Sequence, residues 1–151
     1  MKANSTRFED WPTILNDFFI ERLAQPFEWG VNDCCLYACD AIYKMTGQDT
    51  AYFFRDKYKT KSEAYKLLKE FSGGGLILAV EKLTAEFNMP EYDNPLFAQR
   101  GDLVYCELES VIGGVRGMLG IISPNGTSAA IPGKTGLQYI TINKVLRAWK
   151  V

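Results

Sequence analysis

The pattern of this chain changes once, at Pro90. Before it, apolar residues recur at helical spacing; after it, short β-prone runs alternate with Gly, Pro and Asn turns. A chain that places its helices first and its strands afterwards folds as an α+β domain, with N-terminal helices packed on a small C-terminal antiparallel sheet. Its 151 residues suffice for one such domain with a full core. No repeat or linker divides it, so the expected organisation is a flexible or partner-dependent tail over residues 1–10 and one domain over 11–151.

Four helices are expected in the first part. Asp10 or its polar neighbours cap a helix over about 11–24, which Pro26 ends. Asn32 or Asp33 caps a second, running from about Asp33 to Thr46 and stopping at Gly47. On it Cys35, Ala38, Cys39 and Ile42 form one stripe, and Cys34, Ala38, Ala41 and Met45 the adjacent one. The aromatic and charged stretch from Asp49 to Lys61 reads as a helical turn and loop. Ser62 to Phe71 is a third helix, broken by Gly73-Gly74-Gly75, and Leu76, Val80, Leu83 and Phe87 mark a fourth. The glycine triplet has no preceding strand and no following Gly-Lys-Ser/Thr, so it is a turn between helices and not a phosphate loop.

Five strands are expected after Pro90, at Leu103–Leu108, Gly120–Ser123, Ser128–Ile131, Leu137–Ile142 and Val145–Val151. Pro124-Asn125-Gly126 is the clearest hairpin turn among the connections.

The stretch Phe27 to Asp40 carries the chemistry. A turn at Trp29-Gly30 and a cap at Asn32 or Asp33 place Cys34 at the positive end of a helix, where the macrodipole and free amides stabilise a thiolate. That suggests a thiol enzyme. A thiolate acting on an acyl group needs a base to take and return its proton, ordinarily a histidine, and this chain contains none.

Other functions are constrained by composition. A net charge of −1 and no basic run longer than Lys57 to Lys61 argue against nucleic acid as a partner. No apolar run approaches the roughly 18 residues that span a bilayer, and the N-terminus lacks a signal-peptide stretch, so free thiols and no membrane insertion are expected. Adjacent helical residues point about 100° apart, so Cys34 and Cys35 do not converge with Cys39 and Cys106 on one metal ion. No metal or other cofactor is expected. Trp11, Trp29 and Trp149 fit core packing better than a sugar-binding platform. Tyr52, Phe53, Phe54 and Tyr58, clustered beside charges, suggest a contact with a neighbouring subunit.

The order of motifs resembles the NlpC/P60 group of papain-like cysteine peptidases. Phe27-Glu28-Trp29-Gly30 leads to Asp33-Cys34, Arg100-Gly101-Asp102-Leu103-Val104 supplies a second element, and Met118-Leu119-Gly120-Ile121-Ile122 aligns with the strand that bears the family's histidine. The resemblance implies a papain-like fold with Cys34 at the nucleophile position. It puts Met118 where the histidine should be, and a thioether has no proton to exchange near neutral pH and is only a weak acceptor. Trp29, Asp33 and Asp102 are the accompanying candidates for a binding role.

A closer resemblance is to phage and prophage proteins of the DUF6950 type. It runs through Trp11-Pro12, the Pro26 to Cys35 stretch, Thr46 to Asp49, Arg100-Gly101-Asp102, Gly117 to Ile121 and Ala148-Trp149. Such proteins are typically encoded among the tail genes of long-tailed phages. This implies a catalytically degenerate structural component of a tail tip or baseplate, made in the host cytoplasm and carried in the virion tail. Its partners would be hub, tape-measure or tip proteins, with peptidoglycan as a further candidate. Two alternatives stay open. One is a tail-associated cysteine peptidase or amidase opening peptidoglycan during genome delivery, with Cys34 as nucleophile and a carboxylate such as Asp102, or a water, as base. The other is an assembly factor absent from the finished particle.

Overall fold

The computed structural model describes residues 6–109 and 115–151. Four helices, α1 (Trp11–Arg22), α2 (Cys34–Thr46), α3 (Lys61–Ser72) and α4 (Leu76–Glu86), precede five strands. The strands are β1 (Leu103–Glu109), β2 (Val115–Ile122), β3 (Ser128–Gly133), β4 (Gly136–Thr141) and β5 (Val145–Trp149). They form one antiparallel sheet in the order β4-β3-β2-β1-β5, so the last strand crosses to the far edge. This is the α+β arrangement expected from the change of pattern at Pro90.

The central element is α2, nine of whose 13 residues are buried. It lies across β2 and β3, α1 packs on it, and α3 pairs with α4. Small side chains at Ala38 and Ala41, both wholly buried, let α2 approach its neighbours closely. Asp33 is its cap: the backbone there is extended, and the side chain accepts the Leu36 amide at 2.9 Å. Asn32 does different work. Its amide donates to the carbonyls of Gln25 and Pro26, and its side-chain oxygen accepts from Arg22 at 3.0 Å. Gly47 closes the helix in the left-handed region at φ 77°.

α1 ends at Arg22, before the expected Ala24: the Leu23 amide tightens onto the Ile20 carbonyl at 3.3 Å, and the Leu23 carbonyl accepts the amide of Leu137 on β4 at 3.0 Å. Asp10 makes no side-chain cap there. Residues 49–60 are a loop with one helical turn, in which the Arg55 amide donates to the Ala51 carbonyl at 2.9 Å, and the Arg55 side chain holds it by pairing with Asp40 at 2.8 Å and Asp49 at 2.9 Å. β2 begins at Val115, five residues earlier than the apolar pattern suggests, since Arg116 and Gly117 interrupt that pattern. Pro124-Asn125-Gly126 turns β2 into β3, with the Ser123 amide bonded to the Ser128 carbonyl at 2.8 Å.

The segment expected to be a tail joins the fold from Arg7 onward. Arg7 donates to Asp102 at 2.7 Å, to the Val151 carbonyl at 3.0 Å and to the Arg100 carbonyl at 3.0 Å, and the Phe8 amide donates to the Met45 carbonyl. Residues 1–5 lie outside the described residues. The aromatic stretch at 52–58 is also more internal than expected. Phe54 and Tyr58 are buried, and Phe53 and Phe54 pack on Phe71 of α3, so that most of its apolar surface is already covered; Tyr52 is exposed.

Candidate functional site

The Trp29-Gly30 turn, the start of α2, the helices α3 and α4 and the strands β1 and β2 enclose a half-open cavity of about 340 Å³. Its floor is buried and carries Asp33, Cys34, Phe54, Leu68 and Tyr105. Its rim includes Trp29, Tyr65, Leu78 and Arg116. Gly30 makes the turn possible. Its φ is 78°, and a Cβ there would overlap the carbonyl oxygen of Tyr58. The turn thereby sits directly against the 49–61 segment.

Asp33 ties these parts together. Oδ2 accepts the Gly30 amide at 2.9 Å and also the Tyr58 hydroxyl, while Oδ1 accepts the Leu36 amide. Burial, followed by the neighbouring Asp33 charge, pushes the Tyr58 hydroxyl far above its ordinary range, so it remains a donor.

Cys34 stands at the first position of α2, as expected, but it is not an activated thiol. Burial is the largest influence and pushes it up to about 12. The Leu119 backbone amide and the Arg116 charge pull in the opposite direction, while the Asp33 carboxylate pushes further upward. The helix-terminus argument fails because the anion that occupies the positive end of α2 is the Asp33 side chain, not a thiolate. Cys35 is also pushed well up, first by its hydrogen bond with Cys39 and then by burial.

Met118 and Cys34 share one small apolar cluster with Cys106, Ile131 and Ile140. The two positions paired by motif order are therefore close in the fold. They open differently, however. Cys34 lines the cavity described above, whereas Met118 lines a neighbouring cleft with Phe27, Leu108 and Lys134, and Arg116 lines both. Trp29 and Asp33 line the Cys34 cavity.

Asp102 belongs elsewhere. Its carboxylate accepts from Arg7 at 2.7 Å, the Tyr92 hydroxyl at 2.6 Å, the Gln99 amide at 2.8 Å and the Val151 amide at 3.1 Å. All four acceptor positions are used, the side chain is buried, and it precedes the strand position of Cys106 by four residues, about 13 Å of extended chain. It locks the two ends of the described fold together and is not placed to serve Cys34 as a base.

The three tryptophans form no shared platform. Trp149 is buried in the core, Trp11 is covered by the Arg7 and Arg100 guanidinium groups, and Trp29 alone of the three lines the cavity. Among the described residues, no three His, Cys, Asp or Glu side chains gather closely enough to hold a metal ion, and no helix is long and apolar enough to cross a membrane.

Tyr58 and Arg116 are the site residues that the motifs did not single out. Arg116 lay within reach, being two residues before Met118 and so on the same side of an alternating strand. The sequence marks Tyr58 only as part of an aromatic stretch suited to a subunit contact, and no local signal ties it to Asp33.

The fold and the site define an α+β domain with a capped, helix-start cysteine at the floor of an apolar cavity and no imidazole anywhere in the chain. The protein belongs to the DUF6950 family, a domain of unknown function, which it matches over residues 6–151. No curated protein and no solved structure gives a match.

Proposed function

We propose that this protein is a structural component of a phage tail tip or baseplate, built on a degenerate papain-like domain of NlpC/P60 type. The observation that carries the non-catalytic part is Cys34: a buried thiol pushed up to about 12, grouped with Met118 where such an enzyme would carry its base. At neutral pH the thiol stays protonated, and no side chain of the cluster can accept its proton. Placement in the tail is carried by the resemblance of the Phe27 to Cys35, Arg100 to Asp102 and Gly117 to Ile121 motifs to tail-encoded proteins. Its partners in this reading are neighbouring tail proteins.

The test is complementation of the parent phage lacking this gene. The Cys34→Ser protein supports infectious particles as well as the wild type does, and the protein is found in purified tails by mass spectrometry. Normal tails with lost infectivity and lost muropeptide cleavage in Cys34→Ser would restore the peptidase reading. Absence of the wild-type protein from purified particles would make it an assembly factor.

A further inference from the structure

Arg116 is half-buried on β2. Its guanidinium lies 5.1 Å from the ring centre of Phe27 and 4.9 Å from that of Trp29. Arg7, Arg22, Arg55 and Arg147 each hold a carboxylate at 2.7 or 2.8 Å. Among the described residues Arg116 holds none, and the residues outside the described set contain neither Asp nor Glu. A partly desolvated guanidinium without an anion, fixed by aromatic faces, is preorganised to receive one.

The cavity beside it is mostly apolar. Trp29, Phe54, Leu68 and Leu76 contribute apolar wall, and among the described residues Arg116 is the only cation lining it. At about 340 Å³ it falls near the lower end of the range for small-molecule sites. Among the described residues Asp33 is the one carboxylate on the lining, and its oxygens are engaged by Gly30, Leu36 and Tyr58. Its charge repels a second anionic group from the floor, so a ligand acid must be oriented toward Arg116.

We propose that this cavity binds a small monocarboxylic acid with a compact apolar body, either aromatic or branched aliphatic. The body fills the space over Cys34 and Leu68, and the carboxylate pairs with the Arg116 guanidinium. The ligand is bound and not turned over. This site requires nothing of the tail assignment, and the two stand or fall separately.

Calorimetric titration of the full chain with 3-phenylpropionate, beside its neutral amide 3-phenylpropionamide, tests the proposal. The expected result is saturable one-to-one binding in which the acid is at least about tenfold tighter than the amide, the scale of a charge-assisted hydrogen bond. Arg116→Gln, with its fold checked by thermal melting, weakens the acid about tenfold or more and removes its preference over the amide. The acid also slows alkylation of Cys35, which lines the cavity. No saturable binding up to about 10 mM, equal affinities for acid and amide, unchanged acid affinity in Arg116→Gln, or binding that leaves Cys35 alkylation untouched would each overturn the proposal.

Discussion

The Tyr58 hydroxyl donates its hydrogen to the Asp33 carboxylate, joining residues 25 positions apart across the mouth of α2. Asp33 thereby serves one helix cap, one turn and one loop through two oxygens. Tyr58→Phe leaves the carboxylate buried with one donor fewer, and should cost about 1–3 kcal/mol in urea denaturation. Asp33→Asn should cost at least as much, because an amide NH₂ would have to face the Gly30 N–H, donor against donor. A change within a few tenths of a kcal/mol for both would mean that solvent already satisfies this carboxylate.

Burial of Cys34 makes stability depend on alkaline pH. The unfolded thiol titrates near 9 and the folded one near 12, so folding favours the neutral form. The contribution is fully present below about pH 9 and is lost as pH rises from about 9 toward about 12. Thermal melting across this window should show the wild type losing stability more steeply than Cys34→Ala. Parallel alkaline limbs for the two proteins would show that the thiol is not desolvated in the folded state.

Asp102 separates a structural role from a catalytic one. Removing a buried partner from Arg7 leaves an uncompensated cation whose own ionisation burial already disfavours, so Asp102→Ala should destabilise by about 3–5 kcal/mol. Hydrogen exchange at the Gln99 and Val151 amides, both bonded to this carboxylate, should accelerate along with it. Unchanged stability and exchange would indicate that the lock is not formed in solution.

Local features were legible in the sequence and long-range ones were not. α2 was delimited by its own capping residue and by Gly47, and the Pro124-Asn125-Gly126 turn fixed its hairpin, because each depends on residues within a few positions. The choice between Asn32 and Asp33 could not be made locally; it depends on Arg22 and on the carbonyls of Gln25 and Pro26. The start of β2 was hidden by Arg116 and Gly117, whose places are set by Trp29 and by Tyr105, against which a Cβ on Gly117 would press. The sequence places the helix-start cysteine but not its protonation, since the residues that desolvate it come from β1, β2, β3 and β4. Asp102 bonds a partner 95 residues away, and no motif announces that pairing.

Met118→His reinstates the missing residue type and asks whether residue type was all that was lost. Met118 lies in an apolar cluster with Cys34, Cys106, Ile131 and Ile140 and is 5% exposed. An imidazole placed there loses solvation, which disfavours its charged form, and the carboxylate lining the same cleft, Glu109, is exposed to solvent. The imidazolium and thiolate pair that activates such enzymes would be opposed by the same burial that pushes Cys34 up to about 12. The substitution should therefore cost about 1–3 kcal/mol of stability and leave the rate of Cys34 alkylation at pH 7 within a few-fold of the wild type, with no cleavage of peptidoglycan fragments. A large acceleration of alkylation would mean that the thiol lacks only its base, and that the cavity floor opens to water far more than its packing indicates.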